Sequence, residues 1–115
     1  MQHAQIESRR STFKPLLKSD AVQAAVMVLA PGEKSSGRVE NEHPLAEQWL
    51  YVVSGSGLAK AGTTELEIGP GSLLLIERRE PHQVIATGKE PLVTLNFYAP
   101  PAYTSKGDVR EAVQS

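Results

Sequence analysis

Along most of this chain, short apolar runs rich in Val, Leu and Ile alternate with Gly, Pro and Asn. That is the pattern of an all-β sandwich or barrel. Val22–Leu29 reads as one strand, stopped by Pro31-Gly32. A short extended segment is predicted over Arg38–His43. Gln48–Val53 reads as a strand ended by Ser54-Gly55-Ser56-Gly57, and Leu58–Ala61 and Glu65–Ile68 as a hairpin turning at Gly62-Thr63. Ser72–Glu77, His82–Thr87 and Pro91–Tyr98 follow, the last two joined through Gly88-Lys89-Glu90. The predicted core spans about residues 22–103, between a polar N-terminal arm and a polar tail from Thr104 to Ser115. That tail is expected either to lack order or to form a short helix over Asp108–Val113.

Two strands are apolar on both faces. Side chains alternate along a strand, so Gln48, Leu50 and Val52 share one face and Trp49, Tyr51 and Val53 the other. If the first set lines a barrel, the second needs a cover. A second sheet, a terminal arm or a second subunit would each provide one, and a homodimer is the expected assembly.

Composition narrows the picture. At 115 residues the chain is an ordinary size for one domain, and a chain of this size buries roughly two thirds of its unfolded surface. With no cysteine, disulfides, thiolate metal sites and cysteine nucleophiles are excluded. A formal charge of −1 with no basic stripe gives no sign of nucleic-acid binding. The longest wholly apolar run, Ala24–Ala30, is too short to span a bilayer, and the N-terminus lacks a signal-peptide apolar region. The expectation is a cytoplasmic protein without a membrane partner. No nucleophile–base pair, phosphate loop or dinucleotide fingerprint appears.

The chemistry-bearing residues sit at two places. The first is Asn41-Glu42-His43, with Gln48 and Gly55 following; the second runs from Gly71 to His82. These spacings resemble the two motifs of the cupin superfamily, in its small single-domain bacterial members. The first family motif is glycine, five residues, His-x-His, three or four residues, glutamate, six residues, glycine. The second is glycine, five residues, proline, one residue, glycine, two residues, histidine, three residues, asparagine. Asn41 and His43 fall at the two histidine positions, Gln48 at the glutamate, Gly55 at the closing glycine, Gly71 at the second opening glycine and His82 at its histidine. The sequence departs at Ser35 for the first glycine, and at Glu77, Arg79 and Ala86 for the second motif's proline, glycine and asparagine. The resemblance covers roughly residues 22–103 and implies an antiparallel jelly-roll β-barrel, the cupin-like fold.

What the resemblance implies about function is coarser. Its metal-ligand positions carry Asn41, His43, Gln48 and His82, two imidazoles and two neutral amides. Divalent Zn, Fe, Mn, Ni or Cu all accept such mixtures. One expectation is therefore a metal-dependent enzyme acting on a small organic acid or sugar, of the dioxygenase, isomerase or decarboxylase type. The other is a metal-free module that binds a small molecule, with the Asn41 and Gln48 amides bonding the ligand and His82 available as a base. A rival register puts Glu47 inside in place of Gln48, since a one-residue slip exchanges the faces. Glu77-Arg78-Arg79-Glu80 reads as a solvated turn or as a rim loop for an anionic substrate, Tyr51, Tyr98 and Tyr103 as packing residues or as phenols supplied to a pocket, and Glu33 and Glu42 as surface groups.

Overall fold

Eight antiparallel strands and one short 3-10 turn make up the computed structural model, which describes residues 1–7 and 10–115. The strands are β1 (Thr12–Lys18), β2 (Gln23–Leu29), β3 (Glu47–Ser54), β4 (Gly57–Ala61), β5 (Thr64–Ile68), β6 (Leu73–Ile76), β7 (His82–Ala86) and β8 (Leu92–Ala99). They form a five-stranded sheet, β1-β2-β8-β3-β6, and a three-stranded sheet, β5-β4-β7. The architecture is the all-β barrel that the apolar alternation predicts, in the jelly-roll form that the cupin resemblance implies. Among the described residues no helix is long and apolar enough to cross a membrane.

Seven of the eight strands fall where the apolar runs place them; β1 does not. Thr12–Lys18 carries Pro15 between two lysines, which conceals its strand character in the sequence. The sheet tolerates it because β1 is an edge, where a missing N–H on the outer side costs no ladder bond. The 104–115 tail is ordered. Its 3-10 turn, Glu111–Val113, buries Val113 completely against Ala46, Ala102 and Tyr103, and the Val113 carbonyl accepts a bond from Leu45 N–H. Of the extended segment expected over Arg38–His43, only an isolated bridge at Glu40 forms, in a loop that otherwise bends: Glu40 and His82 exchange backbone bonds, which fastens that loop along β7.

The core fills one end of the space between the sheets. Met27, Leu29, Leu50, Val52 and Leu92 point in from the larger sheet and meet Ile68, Val84 and Ala86 from the smaller one. The β3 alternation resolves as expected: Gln48, Leu50 and Val52 are buried, while Trp49, Tyr51 and Val53 look outward, each about two-fifths exposed at 40–41%. Register then extends the outer patch. Trp49 lies beside Phe97 and Leu75, and Tyr51 beside Leu95 and Leu73, so six strand-paired residues share one apolar face.

The turn from β3 to β4 joins the two sheets. Gly55 has φ +82°, and a Cβ there would collide with the Pro91 carbonyl oxygen and lie 2.8 Å from Leu92 Cα. The left-handed backbone and the close approach together require glycine. Gly55→Ala should cost about 2–4 kcal/mol, combining the left-handed penalty with overpacking. Urea unfolding of the two proteins checks this; a loss below about 1 kcal/mol, the usual size for a surface change, would show that the β3–β8 junction yields freely.

Candidate functional site

Strand β3 and the loop before it carry the first half of the site. Asn41 lies in that loop and organises it: its Oδ1 accepts from His43 N–H at 2.8 Å, and its Nδ2 donates to the Glu80 carbonyl at 3.1 Å. This local turn points the His43 ring into the barrel, where it is 1% exposed. His43 Nε2 sits 3.0 Å from Gln48 Oε1, and Nδ1 sits 3.2 Å from the Ala46 carbonyl. Gln48 Nε2 donates to Asn96 Oδ1 at 2.9 Å, and Asn96 Nδ2 donates to Thr94 Oγ1 at 3.0 Å. A buried polar chain thus runs His43–Gln48–Asn96–Thr94 from loop to β3 to β8. Because Gln48 donates through its nitrogen to Asn96, its oxygen is the acceptor for His43 Nε2–H.

Glu47 takes the opposite face. Its carboxylate accepts from the Trp49 indole at 2.8 Å and pairs with Arg78 at 3.3 Å. Of the two registers open in the sequence, the structure has Gln48 inside. Arg78 also donates to the Leu45 and Ala99 carbonyls, so it clamps loops on the outer surface. Arg79 adopts φ +65° at the position where the second family motif has glycine, and its N–H bonds the Pro44 carbonyl. Neither arginine lines the central cavity.

The second half comes from the start of β7. The His82 and His43 ring centroids are 5.2 Å apart, so the two imidazoles converge. His82 Nδ1 donates to the Glu80 carbonyl at 3.0 Å, which fixes the tautomer and leaves the lone pair on Nε2. Nε2 has no hydrogen-bond partner among the described residues. His82 lines a cavity of about 400 Å³, together with His43, Gln48, Glu42, Phe13, Tyr98 and Tyr103. That volume lies in the range of small-molecule sites.

Phe13 and Glu42 are not evident as site groups in the sequence, where Tyr98 and Tyr103 read as packing residues or pocket phenols. Glu42, there a surface group, is exposed at the cavity mouth and accepts a 2.5 Å bond from the Tyr103 hydroxyl. Tyr98 packs edge-on to His43 and to Tyr103. Burial pushes both phenols far above their ordinary value, so they remain neutral. Asn96 and Thr94 are wholly buried, and here the sequence does hold a signal: in Thr94-Leu95-Asn96-Phe97 the polar residues occupy the inward parity.

Whether a divalent ion fits depends on which donors are open. Both nitrogens of His43 face protein oxygens, and both ends of the Gln48 and Asn41 amides are bonded. Of the four residues at the family's ligand positions, only His82 offers a lone pair to the cavity, through Nε2, and no group of three or more His, Asp or Glu among the described residues is placed to hold an ion. The side chains as arranged do not fit a metal.

Burial pushes the His82 imidazole below its ordinary value of 6.5; the Glu80 carbonyl opposes this, and nearby His43 adds to it. The unfolded chain therefore takes up a proton below that value which the folded chain does not. Stability contributed by His82 is complete above 6.5 and falls as pH drops toward the folded value. Thermal melts between pH 8 and 5 should show a smaller acid loss in His82→Gln than in the parent. Parallel curves would place the titration elsewhere.

Comparison with known proteins agrees with this fold. The family model described as Cupin domain matches residues 25–98. The BH2720 structure from Bacillus halodurans superposes with a TM-score of 0.77 at 29% identity, covering 90% of this chain and 80% of that one. An RmlC-like cupin from Methanocaldococcus jannaschii gives 0.73 at 14% identity, covering 87% and 91%. KdgF from Halomonas gives 0.68 at 18% identity, covering 77% of each chain. The last two show likeness of fold alone. A search of curated proteins finds no match.

Proposed function

The chain belongs to the cupin family, and on that premise we propose that it is a small-molecule-binding cupin whose ligand occupies the barrel cavity without a metal. One observation carries this reading: the cavity has room for a small molecule, yet His82 Nε2 is the one imidazole lone pair open to it. His43, Gln48 and Asn41 act as the scaffold that holds the wall, and His82 meets the ligand as acceptor or base.

The convergence of His43 and His82 supports a second reading, a metal-dependent enzyme of the dioxygenase, isomerase or decarboxylase type. That reading requires the His43–Gln48 bond to open first. The two separate in a thermal shift experiment. An ion at one hundred times its dissociation constant would stabilise the fold by about 2.7 kcal/mol. Chelator-treated protein titrated with Zn²⁺, Fe²⁺, Mn²⁺, Ni²⁺ and Cu²⁺ should shift by less than about a fifth of what that energy implies. Stoichiometric ion binding that disappears in both His43→Ala and His82→Ala would overturn the metal-free reading.

We also propose a homodimer through the outer face of the larger sheet. Trp49, Tyr51, Leu73, Leu75 and Phe97 are all exposed there and lie side by side. Contiguous apolar patches of this kind are rare on monomers and mark interaction surfaces. Sedimentation at micromolar concentration should give a dimer that Trp49→Glu dissociates. A monomeric parent, or a dimer untouched by that substitution, would remove this face from consideration.

A further inference from the structure

The cavity wall differs from a neutral polar pocket in which groups it leaves open. Its hydroxyl donors are largely engaged: Ser11 donates to Glu33, Ser36 to the Arg38 carbonyl, and Tyr103 to Glu42. Ser35 Oγ accepts from Val84 N–H. Among the described residues, what remains open toward a ligand is the His82 Nε2 lone pair and the Glu42 carboxylate, whose side-chain bond is to a neutral phenol. Among the described residues no Lys or Arg pairs with Glu42. Glu33 and Glu40 also line the cavity, the latter paired with Arg38. Among the described residues Lys34 is the single Lys or Arg lining it, and Lys34 is exposed.

Aromatic rings supply part of the remaining wall, beside Met27, Leu29 and Val84. Phe13, Tyr98 and Tyr103 line the cavity and pack on one another, with Phe13–Tyr103 centroids 4.6 Å apart and Tyr98–Tyr103 4.9 Å apart. Ring faces attract cations through their quadrupoles, and the attraction grows where water is excluded. An unpaired carboxylate beside such rings answers a positive charge in two ways at once. A neutral polyol would satisfy the acceptors but leave that charge uncompensated, and an organic anion would meet carboxylates at the mouth.

Resting on the reading of a small-molecule cavity, we propose that this cupin selects a small organic ammonium ion. The cationic head lies between Glu42 and the Phe13–Tyr98–Tyr103 wall, and a hydroxyl or N–H of the same ligand donates to His82 Nε2.

Three nearly isosteric probes test the charge alone: choline, 3,3-dimethylbutan-1-ol and 3,3-dimethylbutanoate. Calorimetric titration at low salt measures affinity, and methyl NMR shifts at Met27 and Val84, which also line the cavity, report the place of binding. Choline should bind at least tenfold more tightly than the neutral alcohol, with the anion weakest. Glu42→Gln should weaken choline about tenfold and leave the alcohol within threefold. Glu42 is exposed, so the variant is expected to fold, and the three-probe ranking in the parent protein stands without it. If the alcohol or the anion binds as tightly as choline with shifts at Met27 and Val84, the cationic selection is overturned while the cavity reading survives. If no probe moves those methyls and a wider set of sugars and small acids does not either, the cavity reading falls too.

Discussion

A histidine ring with no access to water must have its nitrogens met by the protein, and the interior of this barrel is arranged around that demand. His43 is held by Gln48 and faced by the Ala46 carbonyl; Gln48 is held by Asn96, and Asn96 by Thr94. Each member is nearly or wholly buried, and no buried side-chain nitrogen or oxygen among the described residues lacks a partner. Removing one link would leave its neighbour desolvated and unbonded, at roughly 1–3 kcal/mol per group. The chain helps fix the β3–β8 register, because a one-residue slip of either strand would put Gln48 and Asn96 on opposite faces and break the bond between them.

The same chain explains why two neutral amides can stand at positions where the family pattern has a histidine and a glutamate. Asn41 uses both ends of its amide to tie its own loop to the loop before β7, and Gln48 uses both ends to join His43 to β8. A carboxylate at Gln48 could accept from both neighbours but donate to neither, and would bring charge into a dry interior. Arg79 is a departure of another sort. The loop keeps the left-handed turn that glycine makes easy, and the Arg79 N–H bond to Pro44 holds it there despite the side chain.

How much of this was legible in the sequence varies by physical cause. Strand positions, the Gly62-Thr63 hairpin and the inward face of β3 follow from period-two alternation, which is local. The convergence of His43 and His82 was legible through the cupin spacing. β1 was hidden because an edge strand can carry Pro15 and lysines. Glu42 was hidden because exposure and lining a cavity mouth look alike in one dimension: its importance comes from Tyr103, sixty-one positions away in the chain. The difference between a ligand and a scaffold residue was not legible either, since it rests on which atom of each amide and imidazole is already bonded.

The sheet order has a consequence for how the molecule comes into being. The strand β8 lies between β2 and β3, so the larger sheet has no centre until residues 92–99 have been made. Before then β2 can pair only with β1, and β3 only with β6. Two separate hairpin-like pieces, each with bare apolar surface, must wait on a ribosome adding about 5–20 residues per second. The polar chain through Asn96 closes at the same moment, since Asn96 arrives on that final strand. Assembly is thus a late, nearly simultaneous event in which packing, register and the interior wall of the cavity form together, and the interval before it is when this chain is most exposed to aggregation.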